Sequence, residues 1–246
     1  MGNPVLREGI IKDSFNSLEN EHVMTAAGTI TKSCILGGLC AITFAYTWFL
    51  VLAGYMDKAS LLCNIGIWGG LAIVLFICFG PKNKSLMITT PLYALCEGLA
   101  LGYISVLANK AYPGVASQAA AGTIFAFMSM LICYRTGLIR CTQKFRAVII
   151  TATFAIFAVY LLAFILSLFK ITIPHLFSGS LIGIGITVAV IIIAALNLII
   201  DFDNIERYSN RVPAIMEWYF GFSLLITILW MYIEILRLLI QLQSRR

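Results

Sequence analysis

Four acidic residues lie in or beside long apolar stretches of this 246-residue sequence, and they are the residues best suited to chemistry: Glu97, Asp201, Glu217 and Glu234. If those stretches cross a bilayer, an ionisable group at its centre costs at least ~2.5–3.5 kcal/mol on insertion scales, so such groups are usually functional. Carboxylate oxygens are the ligands that hard cations such as Ca²⁺ prefer. The residue types therefore indicate cation binding, proton binding or both.

Two of these acids flank one short polar segment, within IIDFDNIERYSNRVPAIMEWYFGF. We predict that Asp201 ends the sixth helix and that Pro213 opens the seventh, which places Glu217 within about one helical turn of the depth of Asp201. Two facing carboxylates cannot both ionise freely, so they would form a proton-sensitive latch, or a Ca²⁺ site when both are deprotonated. The alternative is helix capping beside a solvated loop. Four neighbours could act as charge partners: Asp203, Glu206, Arg207 and Arg211.

The third acid, Glu97, lies near the middle of its apolar segment, within YALCEGLALGYIS. Gly98 and Gly102 have the small-xxx-small spacing that permits close contact between membrane helices. A place in an ion pathway and a purely structural hydrogen bond to a neighbouring helix are both open for Glu97.

The fourth acid, Glu234, stands in WMYIEILRLL, close to the opposite end of the last apolar segment. Arg237 follows at i+3 and can pair with it on one helix face. A structural ion pair between Glu234 and Arg237 is the favoured interpretation, and a second cation-binding site at Glu234 is the alternative.

The composition is that of a polytopic membrane protein. Hydrophobic residues make up 61% and charged residues 11%, against roughly 25% charged in soluble domains. So few charges could not cover so much apolar surface in water, which excludes a soluble enzyme, a disordered chain and a soluble nucleic-acid binder. The net charge of +6 is what basic loops between membrane spans produce.

Seven apolar segments have the length of about 20 residues that a spanning helix needs. They are residues 33–56, 59–81, 85–109, 111–134, 147–169, 171–200 and 212–242. The segments are too long for barrel strands, so the predicted fold is all-α with seven transmembrane helices. The predicted domains are a cytoplasmic tail over 1–31, one transmembrane domain over 32–242 and a short tail over 243–246. Six spans with a re-entrant last helix is the alternative.

The distribution of Lys and Arg predicts the orientation. Seven crossings from a cytoplasmic N-terminus place eleven basic residues inside, namely Arg7, Lys12, Lys32, Lys82, Lys84, Arg135, Arg140, Lys144, Arg146, Arg207 and Arg211. Six fall outside: Lys58, Lys110, Lys170, Arg237, Arg245 and Arg246. Because basic residues are enriched in cytoplasmic loops, the N-terminus is predicted to be cytoplasmic and the C-terminus external.

Known enzyme and cofactor motifs are missing from the sequence. The seven cysteines are scattered without a CxxC pair, so a zinc or iron–sulfur site is not indicated. No phosphate-binding, zinc-protease or serine-hydrolase motif occurs. We therefore expect neither enzymatic activity nor a resident cofactor, and Ca²⁺ enters only as a permeant or bound ion.

Three segments and the N-terminal NPVL carry a resemblance to a known family. IDFDNIE, EWYFGFSLLITILWMYIEILRLL and YALCEGLALG resemble the Bax inhibitor-like membrane proteins, also called the transmembrane Bax inhibitor motif or YccA-like family, and in particular their bacterial branch. The resemblance implies seven helices, six of them enclosing a central C-terminal helix. It also implies a pH-sensitive calcium leak, and for eukaryotic members suppression of cell death.

The resemblance further implies a pH-responsive pair made by an acid ending helix six and an acid in helix seven. Asp201 matches the first acid. An ungapped alignment from Pro213 places Gly221 or Phe222 at the second, where this sequence departs from the pattern. Glu217, one turn earlier, is the geometric substitute, and Glu234 is reached only through a gap.

Taken together, the residues and the resemblance predict a pH-sensitive calcium-permeable leak or cation/proton exchanger in a bacterial inner membrane. Asp201 and Glu217 are the predicted gate and the predicted Ca²⁺ ligands, Glu97 and Glu234 the predicted ion pathway, and Arg237 an auxiliary charge partner. The alternative is a non-conducting regulator or scaffold that binds other membrane proteins such as a membrane protease, because one mid-membrane acid is few for a transporter. No nucleic-acid partner is expected.

Overall fold

The structure is a computed structural model that describes residues 23–80, 85–169 and 180–245. Within these ranges the chain forms seven α-helices and no strand. The helices are α1 (Ala26–Leu52), α2 (Met56–Phe79), α3 (Leu86–Ala111), α4 (Val115–Arg135), α5 (Gln143–Leu168), α6 (Leu181–Tyr208) and α7 (Met216–Gln243). Each is long and apolar enough to cross a membrane. The predicted all-α fold with seven transmembrane helices is therefore confirmed.

The predicted ends of the last two helices are wrong. Asp201 does not end α6, which continues two turns further to Tyr208. The helix continues through the charged residues that end the apolar run, and Asp203 and Arg207 form an i,i+4 ion pair there at 3.2 Å, a spacing that fits helical geometry. Pro213 does not open α7 either. It lies in a preceding turn in which its carbonyl oxygen accepts from the backbone N–H of Met216 at 3.0 Å.

The chain divides into two compact units, and both α6 and α7 contribute residues to each of them. The first unit contains α1, α2 and α3 with residues 203–226, and the second contains residues 112–202 and 227–246. The first part of α7 therefore belongs to one unit and the remainder to the other.

In the first unit, glycines allow α3 to approach α1 closely. A Cβ at Gly102 would stand 2.6 Å from the carbonyl oxygen of Phe44, and a Cβ at Gly98 would collide with the Cys40 carbonyl and the Thr43 hydroxyl. The close contact expected from the small-xxx-small spacing is present. It fixes the helix that carries Glu97 against α1.

In the second unit, α6 is packed through buried aliphatic and aromatic contacts. Ile200 packs with Ile149 and Ile150 of α5, and Phe202 contacts Phe127 of α4 edge-on at 5.6 Å. Asp201 stands between these two α6 residues and is itself buried. The packing of its neighbours therefore fixes the backbone that carries this carboxylate.

Candidate functional site

Glu217, in the first turn of α7, binds the beginning of α1. Its Oε1 accepts hydrogen bonds from the backbone N–H of Thr25 at 3.0 Å and from the Thr25 hydroxyl at 3.2 Å. The same hydroxyl accepts from the N–H of Gly28 at 2.9 Å. This is the pattern of a capping box, in which a Ser or Thr caps the helix and an acid returns to its N–H. Here the acid comes from another helix.

The space for this carboxylate exists because residue 28 is glycine. A Cβ at Gly28 would collide with the carboxylate of Glu217. Backbone pairing strengthens the same junction, since Met24 donates to the Val212 carbonyl and accepts from the N–H of Asn210, both at 2.8 Å. The positive end of the α1 dipole also favours a carboxylate there. Glu217 therefore caps a helix, although that helix is α1 rather than its own.

The residues of α7 that follow Glu217 also pack against α1. The Lys32 ammonium lies 5.0 Å from the centre of the Trp218 ring, and a Cβ at Gly221 would stand 3.2 Å from the backbone nitrogen of Ser33. Phe222 is fully buried and meets the ring of Tyr93 edge-on at 4.9 Å. The positions aligned with the second family acid are thus filled by helix packing.

Glu97, also in the first unit, is half-buried and is held by its own helix. The hydroxyl of Tyr93, one turn earlier in α3, donates a hydrogen bond to its carboxylate. Oε1 of Glu97 would lie 3.3 Å from a Cβ at Gly70 of α2. Within the part of the chain that the structure describes, no Lys or Arg forms an ion pair with Glu97 or with Glu217.

Asp201, in the second unit, is 4% exposed. Its Oδ2 accepts a hydrogen bond of 2.6 Å from the hydroxyl of Thr227 in α7. This short contact links α6 to α7 through a side chain that can bind a proton. Asp201 and Glu217 each have a hydroxyl partner of their own, and the latch between the two acids stays a prediction.

Four of the five predicted auxiliary residues lie on the last two turns of α6 and the following loop, and the fifth, Arg237, lies in α7. Asp203, expected in a solvated loop, is instead helical, 19% exposed at its side chain and paired with Arg207. Glu206, Arg207 and Arg211 are exposed. Asp203 is therefore a matched control for Asp201, because it is the same residue type on the same helix but is more exposed to solvent.

Glu234, in the second unit, is 1% exposed and forms the ion pair expected from its spacing. Arg237 Nη1 donates to Glu234 Oε2 at 3.1 Å and to the Tyr160 hydroxyl at 2.7 Å. That hydroxyl donates to Glu234 Oε1 at 3.1 Å, and the Trp230 indole also hydrogen-bonds the carboxylate. Glu234 is thus neutralised within its own unit.

The hydroxyl partners of these acids were not identified from the sequence. Tyr93 can be found from the sequence, because it lies four residues before Glu97 on the same predicted helix face. Thr25, Tyr160 and Thr227 carried no such signal, since each meets its acid from a different helix or helix end. Across the described residues, no three His, Cys, Asp or Glu side chains form a group that could hold a metal ion. The Ca²⁺ assignment to Asp201 and Glu217 stays a prediction.

Comparison with known proteins gives one match. The family model described as Bax inhibitor 1 like matches residues 3–244, nearly the whole chain. No curated protein and no solved structure matches the chain.

Proposed function

We propose, from the premise that the chain belongs to the Bax inhibitor 1 like family, that it is a pH-sensitive calcium-permeable leak or cation/proton exchanger controlled by Asp201. The membrane is a bacterial inner membrane, with the N-terminus in the cytoplasm. The observation that carries the proposal is the hydrogen bond between Asp201 and Thr227. It supports control by protons because a titratable group buried in the protein connects two spanning helices there.

Protonation of Asp201 would change the strength of this link. A hydrogen bond to an ionised carboxylate is roughly twice as strong as one between neutral groups. Acidification would therefore loosen the α6–α7 contact at Thr227, and deprotonation would tighten it. Such a change at a helix–helix contact is a physical means by which pH controls a conduction path.

The other acids have separate roles in this proposal. Glu97 lies near the middle of its span and forms no ion pair with a described Lys or Arg, so it is the residue proposed to meet a permeating ion. Glu234 is neutralised by Arg237 and serves structure. Glu217 caps α1. Whether Glu217 also shares a proton with Asp201 is tested by combining Glu217→Gln with Asp201→Asn.

The test is calcium flux into liposomes by the purified protein across pH 5 to 8. We expect Asp201→Asn to change both the rate and the pH midpoint. Asp203→Asn, in the same lipid, should change neither by a comparable amount. Thr227→Val removes the hydroxyl at nearly constant shape and should also shift the midpoint, whereas Thr227→Ser should retain the parent profile.

Three results would contradict parts of the proposal. An unchanged profile for Asp201→Asn beside an altered one for Asp203→Asn would mean that the wrong carboxylate was assigned. If Thr227→Val leaves the pH midpoint of calcium flux unchanged, the hydrogen bond between α6 and α7 has no part in the mechanism. A folded parent protein that conducts nothing would contradict conduction itself and favour the non-conducting regulator of other membrane proteins.

The orientation has its own test. Reporter fusions at Lys144 and at Arg246 should give opposite signals, cytoplasmic at Lys144 and external at Arg246. Identical signals at the two positions would contradict the proposed arrangement of the seven spans.

A further inference from the structure

The connection between α4 and α5 is a concentrated positive surface. We call residues 135–146 the basic hairpin, since they contain Arg135, Arg140, Lys144 and Arg146. No acidic residue occurs anywhere between positions 98 and 200 of the sequence. Arg135, Arg140 and Lys144 are exposed, and Arg146 is half-buried. The exposed cations Arg135, Arg140 and Lys144 therefore have no acidic neighbour along α4, α5 or the turn between them.

The turn of the basic hairpin is a well-formed helix ending. Gly137 adopts a φ of 69° and donates to the Tyr134 carbonyl at 3.1 Å, while Leu138 donates to the Cys133 carbonyl at 3.0 Å. These are the two hydrogen bonds of a Schellman motif, which commonly places its next hydrophobic residue against the helix. Leu138 is instead 77% exposed. Leu138, which lies between Arg135 and Arg140 in the sequence, therefore exposes an apolar side chain from a well-defined turn.

The start of α5 adds hydrogen-bond donors to the same hairpin. Thr142 caps the helix by accepting from the N–H of Phe145 at 3.2 Å. Within the described residues, the backbone N–H groups of Gln143 and Lys144 have no acceptor. Unpaired N–H groups at the start of a long helix favour a phosphate, and here the Lys144 cation belongs to the same turn.

We propose that the basic hairpin binds the phosphate groups of anionic membrane lipids, with Leu138 inserted at the boundary between headgroups and acyl chains. Only residues 136–142 separate two helices that are each long and apolar enough to span a bilayer, so the hairpin stays at headgroup depth. This position and the exposed Leu138 favour a lipid surface over a soluble acidic partner. The inference concerns lipid selectivity and does not depend on calcium conduction.

The experiment compares anionic and zwitterionic lipid bound to the full chain. The purified protein is titrated with phosphatidylglycerol or phosphatidylcholine, and the bound lipids are counted by native mass spectrometry. The triple variant Arg135→Gln, Arg140→Gln, Lys144→Gln is measured beside the matched control Lys58→Gln, Lys110→Gln, which neutralises cations on other helices. A cation near an anionic surface changes affinity about fivefold, so the triple variant should lose about a hundredfold for phosphatidylglycerol.

The expected pattern has three parts. The parent and the control pair prefer phosphatidylglycerol, the triple variant does not, and 0.5 M salt removes the difference between them. Equal retention of phosphatidylglycerol by parent and triple variant overturns the proposal, as does an equal loss in the control pair.

If the triple variant fails to fold, the single variant Lys144→Gln is measured instead. A loss of about fivefold in affinity for phosphatidylglycerol supports the proposal, and no loss overturns it. Leu138→Ser should weaken binding of both lipids, and an unchanged affinity would exclude insertion of this side chain.

Discussion

The two ends of α7 each carry a buried glutamate, and the two units of the fold satisfy them in different ways. In the first unit, Glu217 accepts from the neutral N–H and hydroxyl of Thr25 at a helix start. In the second unit, Glu234 is paired with the cation of Arg237 and hydrogen-bonded by Tyr160. No described Lys or Arg forms an ion pair with the first carboxylate, whereas Arg237 forms one with the second. A buried acidic residue in a membrane helix therefore does not by itself indicate an ion-binding site.

The difference also predicts how each unit responds to substitution. Removing one partner of a buried ion pair leaves an uncompensated charge and typically costs 3–5 kcal/mol. Loss of a helix cap typically costs ~1 kcal/mol. The Glu234 end of α7 should therefore be more sensitive to a single change than the Glu217 end.

The largest expected effect is that of Arg237→Met. It leaves the buried Glu234 carboxylate without its cation, so we expect a loss of about 3–5 kcal/mol of stability. The measurement is the free energy of unfolding in detergent, or the thermal midpoint where unfolding is irreversible. The double variant Glu234→Met, Arg237→Met removes both charges and should recover most of the loss. A single variant as stable as the parent would mean that Glu234 is not held by Arg237.

The second effect, of intermediate size, is that of Gly28→Ala. The added methyl group collides with the carboxylate of Glu217, and forced overpacking typically costs about 1–3 kcal/mol. The same change in a Glu217→Ala background should cost much less, because the obstructing carboxylate is gone. Equal costs in the two backgrounds would show that the carboxylate does not occupy the space beside Gly28.

The sequence predicted the seven helices because spanning length and apolar composition are local properties that charges delimit. It also predicted the Glu234–Arg237 pair and the close approach at Gly98 and Gly102, since both follow from spacing along one helix. It misplaced the end of α6, because the loss of hydrophobicity marks the end of an apolar run and not of a helix. It could not identify Thr25 as the partner of Glu217, because 192 residues separate them and only the tertiary fold brings them together.

The smallest expected effect is that of Glu217→Gln, and it decides between the two roles that remain for this residue. The amide oxygen of Gln can still accept from Thr25, so a pure cap should lose only the charged part of the interaction with the α1 N-terminus, about 0.3–1 kcal/mol. In that role, the pH profile of calcium flux should stay where it is, and Glu217→Gln with Asp201→Asn should behave as the sum of the single variants.

A proton shared between Glu217 and Asp201 gives a different result with the same variants. Glu217→Gln would then shift the pH midpoint of flux, and the shift would vanish once Asp201→Asn has removed its partner. Stability and flux are measured on the same preparations, so a variant that is merely less stable is recognised directly. A non-additive midpoint shift at near-parent stability would establish the latch between the two acids. Additivity would leave Glu217 as the cap of α1 and Asp201 acting through its contact with Thr227 without Glu217.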